Sequence, residues 1–379
     1  MGLEYLKGAP EDKADIIDFA NYIFSHAASK TDFPTLLPKL YGKNANSSES
    51  HYIIKSDGKI IAMLGAFDSV LHIGERQLHA RGIGTVSVHP YHRNEGLMRK
   101  LMEWVVSDMR HDGVDISELG GRRQRYQYYG FERCGLRLAF EVNKDNIKHS
   151  IKSSNNICFK PLTTNYINDS YVLWTQNEVR VSRNQESFYD ILCSWSSKPF
   201  AVVKDGDFAG YAVFSNNLDT IEELCLKDEN DFKEIIPASV NFTGNTVKFS
   251  VQPYEQQRLN VLQKIAERTI ITHDSMFQIF NFPKVLEALL LLRKKYIPLS
   301  DGKVTLQIDE DEPFTIIVTS GDVQIISSNL IPDIKLSVFD AMGIFFSPIC
   351  NFYDFGTDLN NLLHSWFPLP LFFPKQDGV

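Results

Sequence analysis

The chain has 379 residues, 43% of them hydrophobic and 23% charged, with a formal net charge of −8. That is the composition of a water-soluble globular protein, and at about 100–200 residues per domain the length implies two or three domains. The acidic balance excludes a nucleic-acid binder built on a basic face and leans towards cationic partners.

Ile16, Ile17, Phe19, Ala20, Ile23 and Phe24 recur at helical spacing behind Glu11 and Asp12, which predicts a first helix within residues 10–28 with acidic groups at its positive end. In Thr31–Tyr41, TDFPTLLPKLY, two prolines preclude a long helix. The segment is expected to form a short cover whose Phe33, Leu36 and Leu37 rim a pocket for substrate. From His51 the period changes to two. Tyr52–Lys55, Ile60–Ile73 and Gln77–Val88, separated by glycine turns at Gly58 and Gly74, read as a three-stranded meander.

The stretch Val86–Met102, VSVHPYHRNEGLMRKLM, leaves the third strand through Pro90 into a polar turn containing Gly96. Leu97, Met98, Leu101, Met102, Val105, Val106 and Met109 then make one apolar stripe, so the turn opens a helix. The N–H groups of Arg93 to Met98 have no partners inside that helix. With the helix dipole, the Arg93 charge and the freedom of Gly96, they make a cradle for an anion such as a pyrophosphate. Taken alone, an R-x-x-G turn equally suits any strand-to-helix junction. His89 and His92 stand beside it at i, i+3 with no third ligand, so no metal site is expected. The helix should stop at Gly113, and Asp115–Leu119 should form a strand parallel to the one before the cradle. Near its end Asp115 and Glu118 place carboxylates that would draw a cationic amine, or merely face solvent.

Beyond the Arg- and Tyr-rich run Arg122–Gly135, RRQRYQYYGFERCG, residues 143–154 are polar and read as a linker, with a boundary near 150. Tyr171–Trp195 is helix-like. Phe200–Lys204, Gly210–Ser215 and Thr220–Leu226 read as strands, and Asn230–Ser239 and Gln257–Ile271 as helices on either side of the strand Thr246–Gln252. FSVQPYEQQRLNVL is similar to VSVHPYHRNEGLMR but has no glycine in the place of Gly96, which suggests a degenerate second copy with a lost cradle. From Lys284 a helix ends at Pro298. Two hairpin segments follow over 299–328, then helix-like stretches around Ile334–Phe345 and Asp358–Trp366.

The order of helix, meander, cradle, helix and parallel strand, followed by Tyr126, Tyr129, Gly130 and Phe131, resembles that of the GNAT superfamily of N-acetyltransferases. Their cradle reads R/Q-x-x-G-x-G/A. Arg93 and Gly96 match, and Met98 replaces the last small residue. Together with TDFPTLLPKLY, Ser117–Gly121 and YQYYGF, the chain resembles the Eis-type (enhanced intracellular survival) branch. That resemblance implies α+β and α/β architecture: tandem GNAT folds, each a mixed sheet with flanking helices, then a sterol carrier protein-like α+β domain. The divisions would be 1–150, 151–283 and 284–379, with acetyl-CoA bound by the first alone.

The resemblance further implies that acetyl-CoA is held by Val86, Ser87, Val88, Arg93, Asn94, Glu95, Gly96, Leu97 and Met98, with a backbone N–H of Val86–Val88, above all that of Val88, polarising the thioester. Tyr126 would act as general acid. The base would be the C-terminal carboxylate, here that of Val379, although the family's aromatic terminus is missing and KQDGV has the composition of a loose end. The acceptor would be a small-molecule or peptidyl amine, namely an aminoglycoside, a polyamine or a lysine side chain, and the enzyme a homo-oligomer, a hexamer. The rival is a non-catalytic scaffold carrying an apolar ligand in its last domain. Five widely spaced cysteines without a C-x-x-C pair suit a reducing cytoplasm, and neither a signal-type N-terminus nor a bilayer-spanning run is present.

Overall fold

The computed structural model describes residues 2–27, 30–148, 151, 156–349 and 354–379. The first part contains β1 (Glu4–Lys7), α1 (Lys13–Ala27), the single-turn helices α2 (Phe33–Leu36) and α3 (Pro38–Tyr41), β2 (His51–Ser56), β3 (Lys59–Ile73), β4 (Arg76–Val88), α4 (Leu97–His111), β5 (Ile116–Leu119), α5 (Arg123–Tyr126) and β6 (Glu132–Cys134). The middle part begins with β7 (Arg137–Val142), α6 (Lys144–Lys148), β8 (Ile157–Pro161), α7 (Thr164–Thr175), β9 (Val179–Val181), α8 (Phe188–Cys193), β10 (Lys198–Lys204) and β11 (Asp207–Phe214). It continues with β12 (Thr220–Leu226), α9 (Phe232–Thr243), β13 (Val247–Val251), α10 (Gln256–Leu262), β14 (Arg268–Thr272) and β15 (Ser275–Ile279). Last come α11 (Phe282–Arg293), β16 (Gly302–Ile308), β17 (Phe314–Thr319), β18 (Asp322–Ser327), β19 (Ile334–Leu336), α12 (Val338–Phe346) and α13 (Thr357–Trp366).

These strands form three sheets, ordered β1-β2-β3-β4-β5-β15-β6 with β9 also against β3, then β14-β7-β13-β12-β11-β10-β8, then β18-β17-β16-β19. The first two share one plan. An antiparallel meander ends in a parallel pair, β4–β5 or β12–β13, joined through a helix, α4 or α9. The meander strands and α4 follow the sequence pattern closely, and the α4 stripe of Leu97, Leu101, Met102, Val105 and Met109 is buried.

Cuts at 150 and 283 do not follow the sheets. β7 lies in the second sheet, whereas β15 inserts into the first between β5 and β6. Met276, Phe277, Gln278 and Ile279 of β15 are all buried, so this strand is covered on both faces and needs an interior slot. The internal repeat is also out of step with the sequence match. Because α9 connects β12 to β13, the counterpart of the cradle is Lys227–Asp231, KDEND, and the Gln252-Pro253-Tyr254 turn corresponds to the exit from β5.

Further differences have local causes. The helix-like Tyr171–Trp195 is split into α7, β9 and α8, because Val179–Val181 pairs with Leu71–Ile73 at the end of β3. Gln257–Ile271 begins as α10, but Thr269, Ile270 and Ile271 are β-branched and pair with β7 as β14. Ile334–Phe345 starts as β19 and turns helical only after Ser337, whose Oγ accepts from the Asp340 N–H at 3.1 Å. The polar stretch after Asn143 holds α6, with Asn143 Oδ1 accepting from Asp145 and Asn146 N–H. Of that expected linker, 149–150 and 152–154 lie outside the described residues. β1 was not expected. α11 is buried round most of its circumference because it packs between β3 and β4 on one side and β18 on the other, joining the first and third sheets into one apolar core.

Candidate active site

The site begins with a fault in the β3–β4 ladder. Met63 faces Ser87 and Gly65 faces Gly84, so Thr85 and Val86 together oppose Leu64 alone. This is a β-bulge, and Thr85 takes a φ of 51° to make it. The bulge is held from beneath. Thr85 Oγ1 accepts from the Tyr41 hydroxyl at 3.2 Å, and that hydroxyl lies 3.0 Å from His51 Nε2. Burial pushes the His51 imidazole down to about 4, so it is neutral here. The pairing of β4 with β5 ends at Ile83 and Leu119, so Gly84–Val88 has β3 on one side and a cleft on the other.

Past β4, a short 3-10 turn over Pro90–His92 leads to Arg93 in extended conformation, then Asn94 and Gly96 with φ of 69° and 75°. Left-handed backbone is what glycine serves here. A Cβ added at Gly96 would meet nothing within 4 Å, so open space lies in front of it. The Lys100 N–H reaches Gly96 O at 3.1 Å, which leaves the N–H groups of Leu97, Met98 and Arg99 without helical acceptors.

The cleft beside this turn has a volume of about 720 Å3. Seven of the nine expected cofactor residues line it: Val86, Val88, Arg93, Asn94, Gly96, Leu97 and Met98. Ser87 and Glu95 do not. Ser87 is buried with its Oγ donating to Thr85 O at 2.8 Å, and Glu95 pairs with His92 Nδ1 at 3.2 Å. Sequence reasoning missed Arg122 and Arg125 and the α1 residues Ile23, Phe24 and His26, which also line the cleft. The doubled arginines of RRQR beside the tyrosine motif were the available signal. Three arginines and no carboxylate face the cleft among the described residues.

Tyr126 lines the same cleft, largely buried, its ring packed on Gly121, where an added Cβ would lie 2.9 Å from Cε2. Burial raises its hydroxyl above the usual phenol value, so the proton is retained, and the hydroxyl makes no hydrogen bond to a described residue.

Glu118 on β5 is buried. Its Oε1 accepts from Ser275 Oγ of β15, whereas Oε2 has no partner among the described residues. Burial pushes its carboxyl up to about 7. Phe33 and Leu37 are core residues rather than a rim, 3% and 1% exposed, because α2 packs down on α1 and α3 on α8, and Phe33 meets the rings of Phe24 and Tyr41 edge-on. Leu36 is half-buried at the edge of that cluster.

The final residues are not a loose end. Arg183 donates to Asp377 at 2.9 and 2.8 Å and to Glu223 at 3.0 and 2.7 Å. Lys39 Nζ donates to Gln376 O and Gly378 O at 2.6 and 2.8 Å, and Trp195 Nε1 donates to Gly378 O at 3.1 Å. Burial lowers the Lys39 ammonium to about 8. Val379 then lies on β4. A Cβ added at Gly84 would be 2.9 Å from its main-chain carbon, and one at Gly82 would be 2.7 Å from its Cγ2. These two glycines are there for close approach. A Cβ at Gly378 would lie 3.9 Å from Glu118 Oε2, so the tail also borders that carboxylate.

His89 stacks on Tyr22, and no group of three or more His, Cys, Asp or Glu able to hold a metal occurs among the described residues. No helix of the described residues is long and apolar enough to cross a membrane.

The bulged strand, the left-handed turn into a helix and the cationic cleft all lie within residues 4–134, which match the family described as Acetyltransferase (GNAT) domain. Those residues therefore carry an acetyltransferase domain of the GNAT type. Among solved structures it is similar to a GCN5-related N-acetyltransferase from Kribbella flavida, at 15% identity and a TM-score of 0.67 over 96% of this chain and 97% of that one. It is also similar to a GCN5-related N-acetyltransferase from Anabaena variabilis, at 14% identity and 0.67 over 98% of each. To Eis1 from Mycobacterium abscessus it is similar at 11% identity and 0.62, over 91% of this chain and 90% of that one. At these identities the likeness is one of fold. No curated protein matches the chain.

Proposed function

We propose that this chain transfers acetyl from acetyl-CoA to a primary amine carried by an aminoglycoside, a polyamine or a lysine side chain. The observation that carries the reading is that the first residues of α4, three arginines and Tyr126 all line one cleft. The donors fit the group. N–H groups around Asn94–Arg99 with Arg93, Arg122 and Arg125 suit a diphosphate, and Val86 and Val88 present apolar walls to a pantetheine arm.

Acetyl-CoA, when bound, supplies an activated thioester. The main chain past the bulge then has a role of its own, since the Val88 N–H is a donor held in place for a carbonyl oxygen that gains charge. Tyr126, protonated and buried, gives its proton to the leaving sulfur. Glu118 draws the substrate ammonium towards the tail, and the Val379 carboxylate, seated on Gly84, accepts its proton so that the neutral amine forms the new C–N bond as the C–S bond breaks. We read residues 284–379 as sterol carrier-like on their plan of one small sheet with helices, the assembly as a homo-oligomer, a hexamer by family likeness, and the compartment as the cytoplasm. The cleft and Tyr126 favour the enzyme over the scaffold.

Isothermal titration with acetyl-CoA tests the reading. Saturable binding that weakens in Arg93→Ala supports it, and no binding at millimolar concentration would overturn it. A panel of amines scored by release of free CoA thiol then identifies the acceptor, and one or more residues appended after Val379 should suppress turnover if its carboxylate is the base.

A further inference from the structure

The second sheet has a cleft in the same place as the first, with the opposite charge. β12 pairs with β13 only at Thr220–Lys248 and Ile221–Phe249, and beyond Ile221 the strands diverge as β4 and β5 do. A cavity of about 480 Å3 opens in that fork, with Glu222, Glu223 and Leu224 on one side and Ser250 and Gln252 on the other. Of the described residues lining it, five are glutamates and two are cations, Arg258 and Lys375. Arg258 is shared by Glu229 and Glu255 at 2.6 and 2.8 Å. Glu222 is also paired with Lys375 and Glu178 with Lys295, yet these lysines and the arginines behind the wall do not restore balance. Arg137 serves Glu222 and Asp274, and Arg183 serves Glu223 and Asp377. The turn before α9 has Asp228, Glu229 and Asp231 where the first unit has its cradle, and Asp228 Oδ1 already accepts from the Asn230 N–H at 2.9 Å.

One side chain in this cavity is unmet. Gln252 is 3% exposed and lines the cavity, yet neither its Oε1 nor its Nε2 has a partner among the described residues. Its own N–H is fixed by Glu255 Oε2 at 2.6 Å. A buried amide with both its donor and its acceptor vacant is rare in folded chains unless a ligand or water meets it.

From these observations we infer that the cleft of the second unit binds a small polyammonium compound that also offers a hydrogen-bond acceptor, an amide or a hydroxyl. The glutamates receive its ammonium groups, and Gln252 meets its N–H and its acceptor together. The cavity is walled in part by Phe372, Pro374 and Lys375, so the ligand lies along the strand of chain that continues to Val379.

The test is calorimetric titration of the full chain with N1-acetylspermidine, which carries both groups. Binding should persist in Tyr126→Phe and weaken about tenfold or more in Gln252→Leu, the size expected for loss of a hydrogen bond to a charged or polar group. Gln257→Arg adds a cation at the rim from an exposed position, should weaken binding comparably, and carries the test if Gln252→Leu does not fold. Spermidine, which lacks the acceptor, should bind more weakly than its acetylated form. No binding at millimolar concentration, or equal affinity in the wild type and both cavity variants, would overturn the inference. Failure of acetyl transfer with this binding intact would instead count against the reading of the first cleft.

Discussion

At the scale of single residues, the proposed reaction asks for one proton to be given and one carboxyl poised to ionise. Tyr126 keeps its proton because burial disfavours the phenolate. Tyr126→Phe should therefore lower kcat by about 10²–10⁴-fold while leaving the calorimetric affinity for acetyl-CoA within a small factor. Unchanged turnover across the pH range would remove it as the acid. Glu118 is the opposite case, a carboxyl raised to about 7, so its attraction for an ammonium grows as pH rises through neutrality. KM for the amine should fall across that window in the wild type and stay flat in Glu118→Gln. The linkage to stability runs the other way. The folded chain holds this proton more tightly than the unfolded one, so the group's contribution is full below about 4.5 and is lost as pH rises through about 7. The place of Tyr126 on the cleft was legible in the sequence from its neighbours in the chain. The anchors of the tail were not, because Lys39 and Gln376 are 337 positions apart and no local pattern joins them.

Among the elements, β4 does two jobs with one strand. Its bulge turns main-chain groups into the cleft, and Gly82 and Gly84 just before the bulge leave room for Val379. Gly84→Ala should push the tail off the strand, since the new Cβ would stand 2.9 Å from Val379. We expect turnover to fall with little change in acetyl-CoA affinity, and the Trp195 fluorescence to shift as its bond to Gly378 is lost. Equal loss of cofactor binding would show instead that the cradle itself had moved. The meander, α4 and the cradle could be read from local periodicity because hydrophobic alternation and helical spacing are properties of neighbouring residues. The bulge could not, since it is a mismatch between two strands and exists only in their register. The mistaken repeat had the same origin, as five similar residues outweighed a topology that only pairing reveals.

At the scale of the whole molecule, the exchanged strands bind the first two units together. β15 fills the gap between β5 and β6, and its Ser275 also holds Glu118. A fragment of residues 1–150 should therefore lack cooperative unfolding and bind acetyl-CoA poorly, even though it contains every residue of the cradle. Circular dichroism in urea and calorimetry on the fragment would check this, and a sharp transition with full-length affinity would refute it.

The inserted strand also sets a timetable for synthesis. β5 is complete at Leu119, but its partner ends at Ile279, so roughly 160 residues must leave the ribosome before that sheet edge can be covered. At about 5–20 residues per second that is a delay on the order of 8–30 s, during which an unpaired edge and an incomplete core are exposed to other nascent chains. The enzyme should consequently depend on chaperone protection during translation more than its stability once folded would suggest. Chains stalled between 150 and 270 should stay protease-sensitive, and those stalled well past 279 should become resistant in a single step.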